Sequence, residues 1–235
     1  MVALADPGKD GFGLVEIGAL RTRYPDLGLT EAGVVEGILE LHASYNGLVV
    51  ADTFKIRITA RPSHPLRLPS LREVGGRTQA IATKYGFTDL RVLHHNHDGT
   101  ACVCVKQEES GKCPPGSDLT VFVENLVVPY LYGLACYDLN QRWPWIERSH
   151  GGLGLLEFYA DDMSERPLQE LVEVVSLIRR EPNWKEYQKQ IRNPSGERAC
   201  LCGSSKGFEH CHSLAWRGVL RLNSEARRRK LKTFR

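Results

Sequence analysis

Two runs rich in apolar and β-branched residues, 34–45 and 48–60, are joined by Asn46-Gly47. An Asn-Gly pair between such runs predicts a two-residue hairpin, because both turn positions need positive φ. Arg61-Pro62 and the prolines at 65 and 69 end the second run, and 71–74 supplies a further strand. Residues 14–24 carry Leu14, Ile17, Leu20 and Arg21 near one helical face and stop before Pro25. A short helical piece is expected over 78–85, and 119–131 is apolar enough for a buried helix or strand. After residue 160 the character changes. Pro167 stands at a plausible first helical position, and Leu168, Leu171, Val172, Val175 and Ile178 form one stripe that Pro182 closes. The pattern is that of an α+β domain, an antiparallel meander flanked by helices, followed by a helical connector.

The polar punctuation carries the chemistry. Residues 94 to 102 read His-His-Asn-His-Asp-Gly-Thr-Ala-Cys, with Asp98-Gly99 as a strong turn signal. The alternation in 101–105 predicts a strand that sends Cys102 and Cys104 to one face. Such a turn can present Cys102 as a nucleophile, with the Asn96 amide near enough to steady an oxyanion and the imidazoles near enough to move protons. Two other readings of these residues stand beside it. Free cysteine is a common small core residue, and Cys102 and Cys104 with His94, His95 or His97 could hold a catalytic zinc that activates water. Cys113, in the Gly- and Pro-containing stretch 106–117, reads as a bystander on a mobile loop that could gate access. His150, before two glycines, could approach Cys102 or serve structure alone.

A second cluster is Cys200-Leu201-Cys202-Gly203-Ser204-Ser205-Lys206 with Cys211-His212. Three thiols and an imidazole within thirteen residues can close a tetrahedral site around Zn2+ and leave no position for substrate, which is a structural metal site. A knuckle this short has no core of its own, so the ion would supply most of its folding free energy. The segment 216–222 is expected to form a short helix leading into a basic tail.

Composition narrows the setting. At 235 residues and 42% hydrophobic content the chain can bury one good core plus an appendage. No stretch is read as a membrane span, and Asp6, Lys9 and Asp10 without an apolar run do not suggest a signal peptide. Seven cysteines in short groups fit thiol chemistry and metal binding better than a disulfide framework, so the expected location is cytoplasmic. The net charge of +3 gives no reason to expect nucleic acid, and the run from Arg227 to Lys230 with Lys232 and Arg235 reads as a solvated tail.

Phe54-Lys55-Ile56-Arg57-Ile58, Leu68-Pro69-Ser70-Leu71-Arg72-Glu73-Val74-Gly75-Gly76-Arg77, the 94–102 core, Phe122-Val123, Pro129-Tyr130, Trp143-Pro144-Trp145 and Ser149-His150-Gly151-Gly152-Leu153-Gly154 follow one another in that order. In this order the segments resemble the prokaryotic ubiquitin-conjugating-enzyme-like family over roughly residues 10 to 160. The resemblance implies a ubiquitin-conjugating-like fold and a thioester on Cys102, with His94 and Asn96 at the family's His and Asn positions. In eukaryotic relatives the triplet is His-Pro-Asn; here His95 replaces the proline and the spacing from Asn96 to Cys102 is shorter. It further implies an activating enzyme as partner and an acyl donor that is either a cGAS-like nucleotidyltransferase or a ubiquitin-like protein, in bacterial antiphage defence. The segment from Cys200 to His212 resembles a SEC-C zinc motif, a module associated with partner binding. The expected organisation is a catalytic domain over 1–162, a helical connector over 163–195, the zinc motif over 196–216 and the basic tail over 217–235. The alternative to an enzyme is an adaptor that keeps the fold without turnover and recruits partners through the zinc module.

Overall fold

A computed structural model describes residues 11–145, 147–161 and 167–231. The N-terminal residues weighed for a signal peptide, and Lys232 and Arg235 of the tail, lie outside them. The chain divides into two compact units, Met1–Trp145 and Ile146–Arg235.

The first unit is α+β. Helix α1 (Gly18–Arg23) precedes a four-stranded antiparallel sheet in sequential order: β1 (Leu27–Leu29), β2 (Val35–Tyr45), β3 (Leu48–Thr59) and β4 (Ser70–Glu73). The long hairpin forms where expected, and Asn46 and Gly47 both take positive φ, 49° and 81°. Alternate residues Val50, Phe54, Ile56 and Ile58 of β3 are buried, while Lys55 and Arg57 face out. The sequence pattern did not single out β1, which at three residues is too short for periodicity to register. Leu20 of α1 and Ile17 at its N-cap are buried as expected, but Leu14 is exposed and precedes the helix.

Behind the sheet runs the apolar segment, which is helical throughout: α4 (Leu119–Phe122), a widened π turn over Val123–Val127, and α5 (Val128–Asn140). The widening falls just before Pro129. Val128 bonds back to the Val123 carbonyl, five residues away, which makes room for a ring that an α-turn would drive into the preceding carbonyl. This run, Leu119–Asn140, has the length and apolar composition of a membrane span, contrary to the sequence reading, and most of it is buried within the unit. Helix α2 (Arg77–Tyr85) is fastened to it by charge. Arg77 pairs with Asp52 of β3 at 2.9 Å and with Asp138 of α5 at 2.8 Å, and Lys84 meets Asp138 at 2.7 Å. A short helix α3 (Glu109–Lys112) lies in the stretch read as a loop.

The second unit is helical: α6 (Gly151–Asp161), α7 (Leu168–Ile178), α8 (Trp184–Arg192), a one-turn α9 (Phe208–Cys211) and α10 (Ser213–Arg228). Its core joins Leu156 and Tyr159 of α6, Val174, Val175 and Ile178 of α7, Ile191 of α8 and Val219 and Leu222 of α10. Helices α6 and α10 approach closely at Gly218, where a Cβ would stand 2.0 Å from the Leu156 carbonyl oxygen. Three expectations change. The sequence boundary at 162 puts α6 in the first domain, but α6 contributes Leu156 and Tyr159 to the second core, so the division falls at 145. The connector and zinc segments are parts of that same core. The tail, as far as Arg228, is the end of a 16-residue helix whose Glu225 and Ala226 are buried. In α7 the buried stripe uses Val174, while Leu168 and Val172 are exposed.

Candidate functional site

The thiol loop is a tight, self-bonded hairpin. A 3-10 turn over Leu90–Leu93 ends at His94, whose left-handed backbone (φ 51°) reverses the chain. His95 then bridges antiparallel to Ala101. The Asn96 amide N–H donates to the Thr100 carbonyl at 2.8 Å, Gly99 to the Asn96 carbonyl at 3.0 Å, and Cys102 to the His94 carbonyl at 2.7 Å. Asp98 Oδ1 accepts from the Thr100 backbone at 3.0 Å and from its hydroxyl at 2.6 Å. These Thr100 bonds hold the Asp98 carboxyl below its ordinary range, with the nearby Arg72 and Arg61 adding to the effect. Gly99 has φ 80°, as the turn requires.

Tertiary packing fixes this loop from two sides. Ala101 donates to the Leu71 carbonyl of β4 at 2.8 Å. On the other side the Trp143 indole meets the His94 ring edge-on, centroids 4.6 Å apart. Trp143 in turn lies on Gly133 of α5, where a Cβ would stand 2.3 Å from the indole. Tyr130 of α5 donates its hydroxyl to the Leu93 carbonyl at 3.3 Å. Tyr130 and Trp143 are the loop's supports, and the sequence analysis assigned neither to it.

Of the expected catalytic residues, the structure brings His94 and Cys102 together through the backbone bond between them. The Asn96 side chain donates to Thr100 Oγ1 at 3.1 Å, inside the loop. Cys102 is partly exposed. The expected strand over 101–105 does not form beyond the bridge at Ala101, so the face shared by Cys102 and Cys104 is lost. Burial pushes the Cys104 thiol up to about 12, with Glu109 adding to it. Cys113 is buried rather than a bystander on a loose segment, and burial raises its thiol too. Among the described residues no metal-ligand group gathers around Cys102, Cys104 and the loop histidines. His150 belongs to the second unit, next to the start of α6.

The Cys/His cluster of the second unit does converge. The ligand atoms of Cys200, Cys202, Cys211 and His212 all lie within 4.8 Å of one another and could hold a metal ion. Cys202 Sγ and Cys211 Sγ are 3.8 Å apart. Two sulfurs each about 2.3 Å from a tetrahedral zinc stand about 3.8 Å apart, so the spacing fits. Cys200 Sγ faces His212 Nδ1 at 3.1 Å. The local chain explains the convergence. Gly203, at φ 89°, turns the Cys-x-Cys segment so that its N–H reaches the Cys200 carbonyl, and Cys200 donates to the Lys206 carbonyl at 2.9 Å. Ala199 bridges to Gly207, and the single turn of α9 delivers Cys211 and His212 to the same place. Ser204 Oγ lies 3.2 Å from Cys211 Sγ. A bond from Ser204 draws the Cys202 thiol down to about 7, while burial drives Cys200 up to about 12.

This cluster is seated in a core rather than standing alone. Cys200 and Phe208 are buried with the helices, Phe208 meets Trp216 of α10 at 5.9 Å, and Asn183 donates to the Leu201 carbonyl at 3.1 Å.

Comparison of the chain with protein-family models, with curated proteins and with solved structures returned no match in any of the three.

Proposed function

We propose that the first unit is a ubiquitin-conjugating-like acyl carrier working through Cys102, and that the second holds a structural zinc ion. The observation that carries the first reading is the thiol loop itself: a partly exposed cysteine at the exit of a hairpin fixed by internal bonds, by β4 and by Trp143. Rigid positioning of a nucleophile is what acyl transfer asks of a protein, since most of the advantage comes from orientation. A sequential four-stranded meander ahead of that loop supports the same reading.

In the proposed reaction the Cys102 thiolate attacks the carbonyl of a C-terminal acyl group carried as a thioester by an activating enzyme. A new carbon–sulfur bond forms, the old one breaks and the activating enzyme's thiolate leaves. An acceptor amine then attacks the Cys102 thioester, the carbon–nitrogen bond forms, Cys102 leaves as thiolate and the amine gives up a proton. The donor is a cGAS-like nucleotidyltransferase or a ubiquitin-like protein. Asn96, tied to Thr100, acts in this scheme by holding the loop rather than as a free oxyanion donor.

The test is intact-mass and non-reducing gel analysis after incubating the full chain with a candidate activating enzyme, ATP and each candidate donor. A thiol-sensitive adduct is expected with the unchanged chain and with Cys104→Ala, and none with Cys102→Ala. No adduct with any donor, together with full biological effect of Cys102→Ala, overturns the reading and leaves the adaptor. For the metal, one zinc per chain is expected by elemental analysis, held by Cys200, Cys202, Cys211 and His212.

A further inference from the structure

We propose that a recess on the outer face of the first unit's sheet binds an oxyanion, a phosphate or carboxylate group, between Arg57 and Arg72. The recess measures about 370 Å³ and is lined by Thr30, Glu36, Arg57, Thr59 and Arg72 among others. Its floor is a row across three strands: Glu36 of β2 is paired with Arg57 of β3, and Arg57 with Arg72 of β4. Arg57 and Arg72 are thus directly opposed positions on neighbouring strands, a like-charge pairing that costs stability unless a negative charge joins it.

The protein's own carboxylates, Glu36 and Asp98, supply that charge only in part, since each is shared among several donors. Glu36 is held by Arg57 at 2.7 Å and also faces Lys55 at 3.8 Å, and the Arg57 bond is the main reason its carboxyl sits below the ordinary range. Asp98 is the acid that Arg72 acts on, yet its Oδ1 already receives both donors of Thr100, and Arg61 acts on it as well. The sheet face therefore offers a surplus of planar, forked donors at a concave place. Guanidinium forks bind two oxygens of a phosphate or carboxylate at once. Thr30 Oγ1 accepts from the Val34 N–H at 3.2 Å, which leaves its own proton free to point into the recess.

The recess is joined to the thiol loop. Arg72 Nη1 packs on Gly99, where a Cβ would stand 2.4 Å from it, three residues before Cys102. A ligand that draws the Arg72 fork toward Arg57 moves it off Gly99, so occupancy of the site is felt in the loop. This inference stands whether or not Cys102 carries an acyl group.

Amide chemical shifts of the full chain would be followed while inorganic phosphate, and in a separate series glutarate, is added at low constant ionic strength. Saturable shifts centred on Arg57, Thr59, Arg72 and Gly99 are expected; phosphate alone saturating assigns a phosphate ligand, and glutarate alone a carboxylate. Affinity should fall about tenfold in Arg72→Gln and in Arg57→Gln, the loss of one charge-assisted bidentate contact. Arg227→Gln and Cys102→Ala should bind like the unchanged chain, and the second of these separates the site from the acyl-transfer reading. Should Arg72→Gln fail to fold, Arg57→Gln decides. Shifts that never saturate with either probe, or equal affinity in the Arg57 variant, overturn the proposal.

Discussion

The two cysteine-bearing regions are built on opposite plans. In the second unit four ligands within thirteen residues meet through turns of their own segment, and the chain there has little freedom to do otherwise. In the first unit the nine residues from His94 to Cys102 close their own hairpin, but what braces that loop comes from far along the chain: Leu71 of β4, Tyr130 of α5 and Trp143 beyond it. Convergence of a Cys/His set can be encoded locally, whereas the bracing of the Cys102 loop depends on distant packing.

Breaking the local plan should have the largest effect. Cys211→Ser should abolish metal retention and cost more than about 4 kcal/mol, because loss of a structural metal is among the few changes that severe. Hydrogen exchange would show lost protection in α6 to α10 and unchanged protection in β2 and β3. If α10 remains protected without metal, its helices hold the second unit by themselves.

Removing a distant support comes next. Trp143→Ala should cost about 3–5 kcal/mol, the usual range for a buried large aromatic, and should release His94 while leaving the second unit's metal content unchanged. Urea unfolding with metal analysis checks both halves. Gly99→Ala tests the loop's own turn. A Cβ at φ 80° is strained, and the Arg72 fork must move aside, so a loss of about 1–2 kcal/mol is expected.

The smallest effect concerns reactivity without any loss of stability. With its thiol pushed up to about 12, Cys104 is protonated at pH 8 and should be alkylated after Cys102. Mass-spectrometric mapping of iodoacetamide labelling would show this order, and denaturant should erase it. Cys104 labelling first in the folded protein would remove the distinction drawn between the two thiols.

Much of this was legible in advance, and the omissions have common causes. The hairpin, the helix over Leu168–Ile178 and the four ligands are short-range features, readable from periodicity, turn residues and spacing. The strand expected after Ala101 failed because alternation over five residues cannot say whether a partner strand is present, and only Ala101 finds a bridge. The buried stripe of α7 keeps Leu171, Val175 and Ile178 but takes Val174 in place of Leu168 and Val172, because its neighbours, not its own sequence, choose the face. The division at 145 was missed because the apolar residues of α6 look alike whichever core receives them.

The sequence by itself determined which segments turn, which pair locally and which thiols and imidazole can meet around one ion, since these depend on a few dihedral angles and contacts within a dozen residues. Only the tertiary structure decided that Trp143 braces His94, that burial raises the Cys104 thiol, that the Cys/His segment shares a core with four helices and that Arg57 and Arg72 are paired in register with Arg72 against Gly99. Those facts depend on which distant surfaces exclude water together, and burial, unlike a turn, is a property of the whole folded unit.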